Sequence, residues 1–177
     1  SQRVLEHLPN CQAIIRYGVG VDSIDLQAAS ARKIVVSNVP DYGTEEVADQ
    51  ALAFLMCLTR KVLHANALVK KGVWNFQASM PVFRLRDKTL GIIGCGRIGQ
   101  ALAKRAEALG MKIVAFDPHV KSPLKNIEMQ SLDDVLRVSD VVSIHCPLAT
   151  ETKNLLNTQK LALMKSSAFL VNTARGG

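Results

Sequence analysis

Aromatic residues are scarce in this sequence, at 5% of 177 residues, although the formal net charge is +7. A surface that binds nucleic acid gathers its basic residues on one face and places aromatic side chains among them. Here the basic residues are spread over separate segments, 70–71, 84–88 and 104–105. We therefore expect no nucleic-acid partner and assign the excess charge to a solvated basic surface.

Cysteines are few, and long apolar runs are absent. The four cysteines, Cys11, Cys57, Cys95 and Cys146, are 46, 38 and 51 residues apart and form no CxxC pair, which argues against a zinc site and favours the reducing cytoplasm. The longest strongly apolar run, residues 51–58, is far shorter than the about 20 residues of a membrane-spanning helix. We thus expect no bound metal and no membrane partner.

The sequence starts with Ser and has no leader, so we expect a chain that is incomplete.

Apolar strands alternate with helices along most of the chain. Residues 13–36 predict a strand, a glycine-rich turn, a helix and a second strand. An apolar stripe over residues 44–71 predicts one long helix that bridges two domains, and residues 74–88 read as a connecting loop. Further strands, each apolar throughout, are predicted at 90–93, 112–116, 141–144 and 168–171. Such strands indicate an α/β fold with a parallel sheet that is covered on both faces.

One glycine motif stands between the strand at 90–93 and the next helix. It reads Gly94-Cys95-Gly96-Arg97-Ile98-Gly99, and the following strand ends in Asp117, 18 residues after Gly99. In a doubly wound Rossmann sheet Gly94 makes the tight turn, Gly96 lets the backbone approach a pyrophosphate, and Gly99 lets helix and strand pack closely. The start of the helix attracts the phosphates. The motif alone is common, but this context predicts a dinucleotide cofactor.

Asp117 is the residue expected to discriminate between NAD and NADP. Its carboxylate can accept hydrogen bonds from both ribose hydroxyls and repels a 2′-phosphate, and no arginine occurs in the next three residues. This pattern predicts NAD. Two alternatives remain open at this stage: Asp117-Pro118 as a simple turn, and some tolerance of NADP through His119 and Lys121.

Four motifs in order make the chain resemble the D-isomer-specific 2-hydroxyacid dehydrogenases, a family that includes phosphoglycerate dehydrogenases, glyoxylate/hydroxypyruvate reductases and corepressors of the C-terminal-binding-protein type. They are RYGVGVDSIDL (16–26), NVPDYGTEEVAD (38–49), TLGIIGCGRIGQALA (89–103), and HCPLATET (145–152) leading to LVNTARGG (170–177). The resemblance implies part of a flavodoxin-like substrate domain at 1–72, with a hinge helix at 44–71. It also implies a Rossmann NAD domain at 73–177, incomplete at its end, and a homodimer.

The resemblance also implies a function for individual residues. Hydride would pass between the nicotinamide of NAD and C2 of a small 2-hydroxy or 2-oxo acid. Val19 and Gly20 would offer backbone N–H groups to the substrate carboxylate, and Arg16 would either reach the substrate or remain a surface residue. Arg175 would bind the carboxylate and polarise the carbonyl, as a planar guanidinium can. The implied cofactor contacts are Val19, Gly94, Gly96, Arg97, Ile98, Gly99, Asp117, His145, Cys146, Pro147, Thr152, Thr173, Ala174 and Arg175.

The family's acid–base pair, a Glu and a His, lies downstream of Arg175. None of the histidines of this sequence, His7, His64, His119 and His145, matches that position. We therefore expect that this stretch by itself lacks the proton-transfer group that the reaction needs. The alternative function is an NAD(H)-sensing, corepressor-like protein of the same fold, in which the nucleotide stabilises a dimer that binds peptides.

Overall fold

The computed structural model describes residues 2–120, 123 and 125–176. It divides into two compact units, residues 1–44 and 45–177. The first is a small α/β unit whose two strands pair in parallel and whose buried core is Leu5, Ala29 and Ile34. Its elements are helix α1 (Gln2–Glu6), strand β1 (Ala13–Arg16), helix α2 (Leu26–Ala31) and strand β2 (Val35–Asn38).

The second unit contains a five-stranded parallel sheet in the order β5-β4-β3-β6-β7. The chain runs from the central β3 to β4 and β5 on one side, then returns to β6 and β7 on the other. This arrangement confirms the doubly wound Rossmann sheet that the sequence predicts. Its strands are β3 (Thr89–Ile93), β4 (Lys112–Phe116), β5 (Ile127–Met129), β6 (Val141–Ile144) and β7 (Phe169–Asn172).

Helices cover both faces of this sheet. On one face Leu90 and Ile92 share a buried cluster with Leu102 and Ala106, and on the other Ile93 clusters with residues that include Leu136. Burial of a Leu or Ile side chain contributes roughly 1.5–3 kcal/mol, so these layers hold the strand ends in place. The helices are α3 (Thr44–Thr59), α4 (Val62–Lys70), α5 (Arg97–Ala108), α6 (Leu132–Val138) and α7 (Thr158–Leu161).

The single helix predicted over residues 44–71 is wrong: α3 and α4 meet at an angle of 61°. The main-chain oxygen of Thr59 accepts a hydrogen bond from Phe83 N–H at 3.0 Å. Lys61 has a left-handed backbone with φ of 52°. The helix therefore breaks because a residue far along the chain takes a carbonyl oxygen that would otherwise accept the next helical hydrogen bond.

Along the sequence, the boundary between the two compact units follows residue 44 and not the predicted residue 72. The reason is that α3 packs with the second unit. Its Ala51 and Leu55 are 1% exposed and belong to the same buried cluster as the strands. The Arg105 guanidinium on α5 donates to Asp49 Oδ1 and Glu45 Oε2, each at 2.6 Å. A helix with this buried face belongs to the core that it covers.

Two further local differences concern strand β5 and the predicted loop over 74–88. Strand β5 was not predicted, since it has three residues and its Glu128 is exposed, so the sequence shows no apolar run. The predicted loop over 74–88 is largely confirmed and contains one short 3₁₀ helix, Phe76–Ser79. Both differences lie at the margin of the second unit.

Within the described part of the chain, no single helix is long and apolar enough to cross a bilayer. The bent pair α3 and α4 has the length and composition only when its two helices are taken together. No group of three or more His, Cys, Asp or Glu among the described residues is arranged to bind a metal ion.

Candidate functional site

The carboxyl ends of β3 and β6 meet where the strand order reverses. Gly94 follows β3 with φ of +93°, and a Cβ on it would lie 2.5 Å from Cys146 N and 2.8 Å from the His145 carbonyl carbon. Gly94 N–H donates to Phe116 O at 2.9 Å, and His145 N–H donates to Ile93 O at 2.7 Å. The glycine loop is therefore held against the ends of both neighbouring strands, at the place where ligands bind in open α/β sheets.

The other two glycines of the motif differ in what surrounds them. A Cβ on Gly99 would overlap the carbonyl oxygen of Gly94 and lie 2.9 Å from Ile92 Cγ2, which explains the close packing of α5 on β3. A Cβ on Gly96 would meet no atom within 4 Å. Gly96 is also the N-cap of α5 and provides no side-chain cap. An open, uncapped helix start next to a tight turn fits a phosphate group.

Arg97 and Ile98 form the first turn of this helix. The Arg97 side chain is exposed, and the Ile98 side chain packs against the core. Ile98 therefore anchors the helix, and its contribution to a cofactor would come from the backbone.

Asp117 lies at the end of β4 beside the glycine loop. Its Oδ2 accepts from Cys95 N–H at 2.9 Å, and its Oδ1 accepts from His119 N–H at 2.8 Å. The carboxylate thus both shapes the turn after β4 and stands next to the loop expected to hold a dinucleotide. His119 is exposed, and Lys121 lies outside the described residues.

The two thiols near Asp117 remain protonated. Burial, with a smaller contribution from the Asp117 charge, raises the pKa of Cys95 to about 11. Burial also raises the pKa of Cys146 above its usual value, and Asp117 adds to this effect. A nucleophilic thiolate needs a lowered pKa, so neither cysteine is suited to covalent catalysis.

His145 is held by side chains of the protein. Its Nε2 lies 2.9 Å from Ser143 Oγ, and its Nδ1 lies 3.4 Å from Thr173 Oγ1. Burial lowers its pKa to about 4, so the ring is neutral near pH 7. As a cofactor contact, His145 would act through its backbone, its ring edge or these two hydroxyl groups.

A turn organised by Asn172 follows β7 and carries Arg175. Asn172 Oδ1 accepts from Ala174 N–H at 2.9 Å, and its Nδ2 donates to Arg175 O at 2.8 Å. The Arg175 guanidinium is exposed and donates to Ala174 O at 2.8 Å. An exposed guanidinium on a turn that is held from both sides is positioned for an anionic ligand.

A cavity of about 220 Å³ opens beside the ends of β6 and β7. Its walls combine leucines with a few polar side chains, as small-molecule sites do. Thr152 closes one side, where its hydroxyl donates to Pro147 O at 2.6 Å and accepts from Ala149 N–H at 2.7 Å. Five predicted site residues line this cavity: Cys146, Pro147, Thr152, Ala174 and Arg175.

The remaining predicted residues lie at the end of β1 and in the turn after it, in the first unit. Gly18 N–H donates to Arg16 O at 2.8 Å, and Asn38 Nδ2 donates to Val19 O at 2.8 Å. Among the described residues, the N–H groups of Val19 and Gly20 have no hydrogen-bond partner. The exposed Arg16 guanidinium donates to Tyr17 O at 3.1 Å.

Sequence reasoning missed Asn172 and Ser143. Asn172 organises the turn that carries Arg175. The sequence feature that could have indicated it is a polar residue at the end of an apolar strand. Ser143 contacts the His145 ring. The sequence feature that could have indicated it is a single hydroxyl residue within the otherwise apolar strand at 141–144. Neither residue belongs to a motif that reaction chemistry would have singled out.

The second unit therefore offers an open helix start, an acid beside it, and a cavity at the adjoining strand ends. These features fit a dinucleotide. The family model described as "D-isomer specific 2-hydroxyacid dehydrogenase, NAD binding domain" matches residues 52–177. The chain belongs to this family.

Relatives of known function agree with this assignment. The chain is 39% identical to a glyoxylate reductase of Thermococcus litoralis, over 99% of the chain and 56% of the relative. It is 37% identical to a D-3-phosphoglycerate dehydrogenase of Methanocaldococcus jannaschii, over 100% of the chain and 34% of the relative. The chain thus spans about a half and a third of the lengths of these two relatives.

A solved structure shows the same fold. The D-lactate dehydrogenase of Aquifex aeolicus, complexed with NAD and lactic acid, superposes with a TM-score of 0.93 at 34% identity, over 99% of this chain and 54% of that one. The resemblance to the 2-hydroxyacid dehydrogenases and the prediction of NAD as cofactor are confirmed. The corepressor alternative is not favoured, since these relatives are dehydrogenases and reductases.

Proposed function

We propose that the protein containing this chain is an NAD-dependent dehydrogenase of D-2-hydroxy acids, of the phosphoglycerate dehydrogenase or glyoxylate/hydroxypyruvate reductase type. One observation carries the proposal. The loop of Gly94 and Gly96 lies directly against the end of β6, and the cavity at that end is lined by Arg175. A dinucleotide loop beside an arginine-lined cavity suits a cofactor that reacts with a small carboxylic acid.

The cofactor would be held largely by backbone groups. Gly96 leaves the space for the pyrophosphate, and the first turn of α5, with Arg97, Ile98 and Gly99, supplies N–H groups and the positive end of the helix dipole. Asp117 would accept the ribose hydroxyls, which favours NAD over NADP. We further propose the contacts implied by resemblance at the ends of β6 and β7: His145, Cys146, Pro147, Thr152, Thr173 and Ala174.

Arg175 would act on the substrate. Its guanidinium can bind a carboxylate through two parallel hydrogen bonds and withdraw electron density from the neighbouring carbonyl oxygen. When bound, NADH supplies the hydride that reduces C2 of the 2-oxo acid. The proton would come from another group, because burial keeps the His145 ring neutral with a pKa of about 4. In the first unit Val19 and Gly20 would donate to the carboxylate through their N–H groups, and we propose the same ligand for Arg16.

We also propose a homodimer in the cytoplasm. Helix α4 has no buried residue, and its Leu63 and Val69 are 71% and 52% exposed, as expected of a helix that a second copy covers. All four cysteines are free, which suits a reducing compartment. Light scattering would measure the mass, and a monomer at micromolar concentration would contradict the dimer.

The purified protein should be titrated with NADH by calorimetry and then assayed with glyoxylate, hydroxypyruvate and 3-phosphohydroxypyruvate. We expect NADH to bind and at least one of these acids to be reduced to the D-hydroxy acid. NADH binding without consumption of any 2-oxo acid would contradict the proposed reaction and support a role in binding alone.

A further inference from the structure

Ser143 is a buried hydroxyl group in the middle of the sheet. It lies in β6 among Val141, Val142 and Ile144, and it is 1% exposed. Within the described part of the chain its hydroxyl has one partner, His145 Nε2, at 2.9 Å. The buried Ser139 differs, since its hydroxyl donates to the Val135 carbonyl at 2.5 Å.

This single partner determines the tautomer of His145. If His145 Nε2 carried the hydrogen, it would donate to Ser143 Oγ, and the buried Ser143 hydrogen would have no acceptor. Leaving a buried donor unpaired is unfavourable enough to decide between two tautomers of otherwise similar stability. Ser143 therefore donates to Nε2, and the hydrogen of the neutral ring lies on Nδ1.

The Nδ1 tautomer in turn orients Thr173. Because Nδ1–H donates toward Thr173 Oγ1, at 3.4 Å, the oxygen of that hydroxyl acts as the acceptor and its hydrogen stays available to another group. Thr173 lies inside this turn, between Asn172 and the two residues that Asn172 holds, Ala174 and Arg175. The Ser143, His145 and Thr173 chain thus runs from the interior of the sheet to the turn of the proposed site.

We propose that Ser143 is a positioning residue that, through the Nδ1 tautomer of His145, makes the Thr173 hydroxyl a hydrogen-bond donor to an acceptor oxygen on the nicotinamide half of the cofactor. The part that concerns the cofactor rests on the proposed function, because Thr173 adjoins Arg175, where the nicotinamide would meet the substrate. The part that concerns the tautomer rests on the contacts of Ser143 and His145 alone.

The tautomer can be measured directly in the wild-type protein. Long-range ¹H–¹⁵N correlation spectra of the ¹⁵N-labelled chain at pH 7 distinguish a protonated Nδ1 from a protonated Nε2, and the His145→Gln variant assigns the signal. We expect protonated Nδ1 in the wild type and a smaller share of protonated Nδ1, in a mixture of the two tautomers, in Ser143→Ala. Protonated Nε2 in the wild type would overturn the proposal without any need for a folded Ser143 variant.

Binding measurements test the consequence. We expect Ser143→Ala and Thr173→Val each to raise the Kd of NADH about three- to tenfold, which corresponds to the loss of one hydrogen bond. Because both residues act through the same hydrogen bond, the double variant should raise the Kd no further than Thr173→Val alone. The Kd of ADP-ribose, which lacks nicotinamide, should not change. Ser139→Ala is the matched control, a buried hydroxyl whose removal should alter neither the His145 signal nor either Kd.

The outcomes separate this inference from the proposed function. If the wild type binds NADH but Ser143→Ala raises the Kd of ADP-ribose as much as the Kd of NADH, Ser143 has only a structural role and the inference fails. An unchanged NADH Kd in both single variants also overturns it. If the wild type does not bind NADH, the proposed function fails, while the wild-type tautomer still supports or overturns the assignment of Ser143.

Discussion

The backbone nitrogen of Cys146 lies 2.5 Å from the position that a Cβ on Gly94 would occupy. No side chain fits at that distance, so the glycine loop and the end of β6 meet through backbone atoms alone. Gly94 also has φ of +93°, a conformation that other residues rarely adopt. The same residue therefore satisfies both a turn and a contact between neighbouring strand ends.

Substitution Gly94→Ala should damage both folding and cofactor binding. The methyl group would meet the backbone of His145 and Cys146, which cannot move without opening the β3–β6 pairing. We expect the free energy of unfolding to fall by about 2–3 kcal/mol and the Kd of NADH to rise at least tenfold. Thermal unfolding and calorimetric titration measure the two effects.

Two other glycines provide matched controls for this variant. A Cβ on Gly96 or on Gly43 would meet nothing within 4 Å. Gly96→Ala should lower the free energy of unfolding by about 1 kcal/mol at most, less than Gly94→Ala, because alanine is a poorer N-cap than glycine. It should nevertheless bind NADH more weakly, because the methyl group fills the space proposed for the pyrophosphate. Gly43→Ala should change neither property, and wild-type affinity in Gly96→Ala would contradict the proposed phosphate position.

Replacement of Asp117 by asparagine should reduce the preference for NADH over NADPH. The variant removes the charge that repels a 2′-phosphate and puts an N–H₂ group where one carboxylate oxygen now accepts from Cys95 or His119. We expect the ratio of the NADPH Kd to the NADH Kd to fall about tenfold. Asp140→Asn, which removes an acid from the opposite edge of the sheet, should leave the ratio unchanged, and an unchanged ratio in Asp117→Asn would argue against the assigned role.

Acid should destabilise the protein in part through His145. Burial lowers its folded pKa from 6.5 to about 4, so between these values the unfolded chain binds more protons than the folded one. The stabilising contribution is complete above pH 6.5 and is lost as the pH falls toward 4, with a total of about 3 kcal/mol. Urea unfolding at pH 7, 5.5 and 4.5 measures it. The variant His145→Asn should lack this part of the pH dependence; an identical slope would show that the ring is not held neutral.

Loss of Arg175 should abolish most of the proposed activity while leaving the fold intact. Its side chain is exposed, and its carbonyl rather than its guanidinium is held by Asn172. We expect Arg175→Ala to lower kcat/KM for the accepted 2-oxo acid about 100-fold or more, with the NADH Kd altered far less. Arg137→Ala on α6, whose partners are Asp133 and Asp134, is the control. If Arg175→Ala kept the wild-type kcat/KM, the proposed contact between Arg175 and the substrate would be contradicted.

Local sequence patterns predicted the sheet and the position of its ligand-binding edge. The strands at 90–93, 112–116 and 141–144 are apolar throughout and are followed by Gly94, Asp117 and His145 at the same sheet edge. Parallel strands require this outcome, because their carboxyl ends lie together. The side-chain network around His145 was not predictable, because Thr173 is 28 residues away from His145 and approaches it only through the pairing of β6 with β7.

The sequence by itself determined the alternation of strands and helices, the cofactor loop and the family, since each depends on residues close together in the chain. Tertiary structure alone decided three other features: the break between α3 and α4, the membership of α3 in the second unit, and the partners of His145. The Thr59 carbonyl bonds to Phe83, and α3 buries Leu55 in the sheet's core. Helical propensity continues through residue 61, but a hydrogen bond from a distant residue outweighs it, and such competition is visible only in the folded chain.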